Sequence, residues 1–179
     1  MPVPEFLQTL ENSGLSTWIR ESQSVFGFYF ILLFHNFGLA MLVGASVIID
    51  LRILGVVPGV PVKSLEPLFK IMWAGLIVGT ISGVLLLLAY PTKALTNPVF
   101  YVKLALIAFG VIMAFRIKNR VFDNPSVSEA DMTGSVSMAK WSIVLWIASI
   151  TAGRLLAYTY VYLIYGTKGA VLFDIFKII

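Results

Sequence analysis

Residues 71–92 read IMWAGLIVGTISGVLLLLAYPT, 22 positions without Asp, Glu, Lys or Arg between Lys70 and Lys93. A helix needs ~20 mostly apolar residues to cross ~30 Å of hydrocarbon, so this stretch is a complete transmembrane span, punctuated at Pro91. The same test applied outward finds three more. Ser22 to Ile49 holds 28 charge-free residues and closes at Asp50-Leu-Arg52. Pro98 to Phe115 has 18 residues, interrupted by Lys103, before Arg116, Lys118 and Arg120. Trp141 to Thr167 has 27, broken by Arg154. The predicted spans are residues 24–49, 71–91, 98–116 and 141–165. Composition agrees: 59% of the chain is apolar and 12% charged, against ~45–50% and ~25% in soluble domains. Such a surface cannot be that of a water-soluble enzyme. The expectation is an all-α, integral membrane four-helix bundle forming a single domain over residues 1–179.

Outside the spans, Phe6, Leu7, Leu10, Leu15, Trp18 and Ile19 recur at near-helical spacing. This predicts an N-terminal interfacial amphipathic helix over about 4–20, lying on the headgroups. No basic region precedes Arg20 and no small-residue cleavage site follows, so the segment does not read as a removable signal peptide. Gly55 to Pro61 is a turn-rich linker, and residues 117–140 form the one long polar loop. Seven Lys or Arg (52, 63, 70, 116, 118, 120 and 140) flank one side of the spans and five (20, 93, 103, 168 and 177) the other. The richer side is expected in the cytoplasm, with both termini outside, periplasmic in a bacterial inner membrane. Trp18, Tyr29, Tyr90, Tyr101, Tyr162 and Tyr165 fall near that outer interface. The basic residues form no run interleaved with exposed aromatics, so the lipid bilayer is the expected partner, not nucleic acid.

The chain has no cysteine and one histidine. Disulfides, thiolate metal sites and thiol catalysis are excluded, and neither a zinc site nor a bis-histidine haem can be built within one subunit. No nucleophile with a base, carboxylate pair or phosphate loop is present, so no catalytic activity is expected. Met41, Met72 and Met113 read as core fillers rather than copper ligands.

Small residues recur every four positions at Gly75, Gly79 and Gly83 on the second span and at Ser149, Gly153 and Ala157 on the fourth. Each set offers a smooth stripe for helix packing; the alternative is that glycine clears room for a flat haem or quinone ring.

The depth of the polar residues carries the functional expectation. The midpoint of Ser22 to Ile49 falls between His35 and Asn36, that of Trp141 to Thr167 on Arg154, and that of the second span beside Thr80 and Ser82. Arginine at a helix centre costs ~2.5–3.5 kcal/mol on insertion scales, so Arg154 should face the bundle interior. His35, Asn36, Thr80, Ser82, Arg154 and Tyr158 then form a candidate ligand-binding layer holding a cation, an imidazole, hydroxyls and an amide. Such a layer suits a guest with acceptor oxygens or negative charge. The structural alternative bonds His35 to Thr80 or Ser82 and Arg154 to neighbouring carbonyls. Asp50 reads as the partner of Arg52 or as the interfacial end of the first helix, Asn97 as a helix start, and Lys103 as a snorkelling side chain. The tyrosines from Tyr158 to Tyr165 read as an interfacial belt.

Together, His35 with Gly38 and Gly44, the Asp50-Leu-Arg-Ile-Leu-Gly55 exit, Gly83 before an apolar run, Asn97-Pro-Val-Phe-Tyr-Val-Lys103, and Arg154 with Ala157 resemble an uncharacterised family of small bacterial inner-membrane proteins. The resemblance runs from about Leu10 to Tyr160. That family is distantly similar to the membrane domain of copper-resistance D proteins and to four-helix b-type cytochromes, which implies a helical bundle and no established activity. Two functions follow as expectations. One is a redox-associated or carrier subunit binding a quinone-like, haem-like or anionic ligand at the His35/Arg154 level. The other is a scaffold or accessory subunit, a homo-oligomer or part of a larger membrane complex. A small-solute or copper permease is a third, disfavoured because four spans are few for alternating access.

Overall fold

A computed structural model describes residues 4–22, 24, 26–123 and 133–158, without the side chains of Thr133, Ala157 and Tyr158. The described residues form seven α-helices: α1 (Glu5–Glu11), α2 (Gly14–Glu21), α3 (Phe28–Ile53), α4 (Leu68–Ala89), α5 (Pro91–Leu95), α6 (Pro98–Ile117) and α7 (Thr133–Tyr158). Four of these, α3, α4, α6 and α7, are long and apolar enough to span a membrane. The protein is an all-α, multi-pass membrane protein.

Local chemistry sets the helix ends. At the close of α3, Gly55 takes φ +76° while its N–H bonds to the Arg52 carbonyl and the Val56 N–H to that of Leu51. This pair of bonds is a Schellman cap, which needs a left-handed residue and so favours glycine. Pro91 opens α5. Asn97 starts α6 as the sequence suggests: its Oδ1 accepts from the Val99 N–H at 3.0 Å, and Pro98 supplies the first helical residue.

The spans associate as two hairpins. α3 packs most extensively on α4, and α6 on α7, while α3 and α7 join the pairs. The first hairpin closes through glycine. A Cβ added to Gly38 would stand 2.6 Å from the Gly79 nitrogen, and one on Gly75 would stand 2.6 Å from the Gly38 oxygen. Backbone meets backbone here, so Gly75 and Gly79 form the expected packing stripe. The main core lies toward the other end of the bundle, where Leu42, Ala45, Ile49, Ile53, Phe69, Met72, Ala114, Ile117, Ala139 and Trp146 are buried together. Every buried residue of α6, namely Gly110, Ala114 and Ile117, lies in its C-terminal half. From 98 to 109 none of its residues is fully buried.

The N-terminal region differs from the single surface helix expected over 4–20. Asn12-Ser13 breaks it, and Ser13 caps α2 by accepting from the Ser16 N–H. α2 docks rather than simply floating. Ile19 packs with Ile31 and Ala89 under Leu85 and Leu86, while Arg20 and Ser16 both donate to the Ala89 carbonyl at the end of α4. Phe6, Leu10, Leu15 and Trp18 remain exposed, the face available to headgroups.

The span boundaries also move. α3 begins four residues later than position 24 and runs through Asp50 and Arg52 to Ile53, because both charged side chains are buried instead of marking the water interface. α7 begins at Thr133, inside the expected polar loop, because Ser135 and Ser142 bury on its packed face. The expected span end at 159–165 and loop residues 124–132 lie outside the described residues, as do the tyrosines beyond Tyr158.

Candidate functional site

His35 faces α4. Its Nδ1 lies 3.1 Å from the Gly79 carbonyl oxygen and 3.3 Å from Ser82 Oγ, and Gly83 leaves room beside the ring, where an added Cβ would stand 3.3 Å from Cε1. A carbonyl can only accept, so in the neutral ring Nδ1 carries the hydrogen and Nε2 remains an acceptor. Ser82 spends its own hydrogen on the Val78 carbonyl at 2.6 Å. Of the two hydroxyls expected near the histidine, only Ser82 is there. Thr80 is exposed, and so is Asn36, because consecutive helical residues point ~100° apart and the neighbour of an inward residue turns away.

From the second hairpin, Lys103 approaches the same level. Its aliphatic carbons and Nζ pass Gly153, where an added Cβ would meet Cε at 3.5 Å and Nζ at 3.6 Å. Lys103 is half-buried and makes no hydrogen bond or ion pair with any described residue. The glycine on the fourth span thus serves the lysine, while Ser149 beside it is buried in packing.

Arg154 is a correction. It was expected inside the bundle, and the structure leaves it exposed on α7. The cause is depth. The Gly153–Lys103 contact sets Arg154 level with a residue five positions into α6, about 8 Å from that helix's start. A long arginine reaches the interface from there by snorkelling and needs no internal partner. The His35 layer is not at mid-membrane either: His35 is seven residues into α3 and opposite residues six to ten before the end of α4, about 10 Å inside the bundle. The described part of α7 runs through the backbone of Ala157 and Tyr158, whose side chains lie outside the described residues.

Asp50 and Arg52 depart further from expectation. Arg52 is buried and donates from Nε to the Val60 carbonyl of the linker. Asp50 is 1% exposed, and neither carboxylate oxygen has a hydrogen-bond partner. The Ser46 and Ser142 hydroxyls sit beside it without reaching hydrogen-bonding geometry, and Trp146 Nε1 donates to Ser46 Oγ at 3.0 Å. Sequence reasoning missed this second cluster, although a signal was present. Residues two apart on a helix do not face each other, so Asp50 could not pair with Arg52, whereas Ser46 lies one turn away on the same face.

No group of three or more His, Cys, Asp or Glu able to hold a metal ion occurs among the described residues. The sequence model of a family of unknown function (DUF6644) matches residues 10–159. No curated protein and no solved structure matches the chain.

Proposed function

Since the chain belongs to the family of unknown function (DUF6644), we propose from its own side chains that it is a non-catalytic membrane subunit taking up one lipid-soluble guest between the two hairpins. The guest carries carbonyl oxygens or negative charge, as a quinone-like molecule does. Lys103 supports this reading above all: a half-buried ammonium below the interface with no described partner is a donor in want of an acceptor. His35 supplies the complement, with Nδ1 held by Gly79 and Nε2 left to accept from a hydroxyl of a reduced guest. No residue of α6 between 98 and 109 is fully buried, so a lipid-soluble guest would approach Lys103 along this half of the helix. In this reading the protein serves as a redox-associated or carrier subunit of a bacterial inner membrane, with α1 and α2 on the outer side.

The test is extraction. Protein purified in mild detergent is expected to release a stoichiometric quinone-like molecule by mass spectrometry, lost in Lys103→Met and reduced in His35→Ala while both variants keep their melting transition. A Soret band in place of that molecule would assign the site to a haem whose carboxylates meet Lys103. Colourless protein with no extract, whose melting is unmoved by added quinone, overturns the proposal.

A further inference from the structure

The cluster around Asp50 lies fifteen residues from His35 along α3, about 22 Å away, and owes nothing to the guest-binding reading. Asp50 is the only acid in the sequence of the four spans. Its carboxylate is closed off by the main apolar core, with no hydrogen bond to either oxygen. Charged groups on every packed helix are engaged elsewhere or turned outward. Arg52 on α3 bonds to Val60; Lys70 on α4, Arg116 on α6 and Lys140 on α7 are exposed; Lys118 pairs with Asp123 at 2.9 Å. A bare carboxylate here would carry the full penalty of desolvation with no cation to offset it.

We propose that Asp50, Ser46 and Ser142 form a resident proton-binding site, in which Asp50 is held as the neutral acid. The hydrogen count closes. The Asp50 O–H donates to Ser46 Oγ, which also accepts from Trp146 Nε1; Ser46 donates to Ser142 Oγ, 3.5 Å away; and Ser142 donates back to the Asp50 carbonyl oxygen. A small rotation of the two serines completes this ring and satisfies both carboxyl oxygens. The proton comes from water and returns to it, and no other bond changes. Two helices from different hairpins, α3 and α7, are thereby joined through one exchangeable hydrogen.

Infrared difference spectroscopy on the full chain in lipid nanodiscs tests this. At neutral pH the wild type is expected to show a protonated-carboxyl C=O band that shifts in D2O and is absent from Asp50→Asn. Ser142→Ala keeps the acid but removes a donor to its carbonyl, so the band should move to higher frequency. Because the folded state prefers the proton, wild-type melting should fall as pH rises, while Asp50→Asn stays flat. Three results overturn the proposal: no carboxyl band at neutral pH, a band indifferent to Ser142→Ala, or wild-type melting that rises with sodium over choline chloride and not in Asp50→Asn, which would make the occupant a metal cation.

Discussion

Gly38→Ala probes the tightest contact in the fold. The new methyl would stand 2.6 Å from the Gly79 nitrogen, 2.9 Å from the Gly75 oxygen and 2.9 Å from the Gly79 Cα, against the 3.4 Å at which ordinary contact begins. The shortfall at the nitrogen is about 0.8 Å, and all three neighbours are backbone, so no side chain can swing aside. α3 and α4 must separate by a comparable amount. A gap of 0.5–1 Å forfeits a quarter to a half of each dispersion contact along the seam, and overpacking typically costs ~1–3 kcal/mol. The upper half of that range is expected because the strain falls on the most extensive helix pair in the protein. Unfolding in bicelles or thermal melting in detergent measures it, with Gly44→Ala as the control, since nothing lies within 4 Å of that position on the same helix. The substitution should also loosen the His35 bond to Gly79. Equal stability of Gly38→Ala and Gly44→Ala would refute the backbone-to-backbone crossing.

Other outcomes follow from particular contacts. Gly110→Ala presses a methyl to 3.0 Å from the Trp146 ring, which seals α6 to α7, and should destabilise by ~1–3 kcal/mol in the same assay. Trp146→Phe removes the donor to Ser46 and should cost ~1–3 kcal/mol, with a loss of near-ultraviolet dichroism. Arg20→Met deletes the bonds to the Ala89 and Glu11 carbonyls and should raise hydrogen exchange in residues 14–21 while leaving the four spans protected. Arg154→Leu should change stability by no more than ~0.5 kcal/mol, since the side chain only reaches for the interface. A loss of ~3–5 kcal/mol would instead mean that it anchors an internal partner.

Four spans and an all-helical fold were legible because hydrocarbon imposes a length on any uncharged run, and residues 71–92 meet it without ambiguity. Depth was less legible. Taking the first span from Ser22 put its centre on His35, but residues 22–27 precede the helix and Asp50 and Arg52 lie within it, so the true centre is near Ala40 and Met41. The rule that charge ends a span fails when the charged group has a buried seat, and that seat depends on Ser142 and Trp146, nearly a hundred positions along the chain. Facing was partly legible: Gly75, Gly79 and Ser82 follow helical periodicity, whereas Asn36 and Thr80 share the depth of the inward residues but sit on another face of their helices. The level of Arg154 is set by where α6 begins, through the Gly153–Lys103 contact, and the hydropathy of its own run carries no record of that neighbour.

The docking of α2 onto the last carbonyl of α4 has a consequence for biogenesis. Ser16 and its acceptor on Ala89 are 73 residues apart, a separation that takes about 4–15 s to synthesise at ~5–20 residues per second. Throughout that interval the newborn amphipathic segment has no seat in the bundle, and its exposed Phe6, Leu10, Leu15 and Trp18 can rest on the bilayer surface instead. Arrival of the second hydrophobic hairpin arm then turns a parked peptide into a latch, so this contact records the completion of the first half of the molecule.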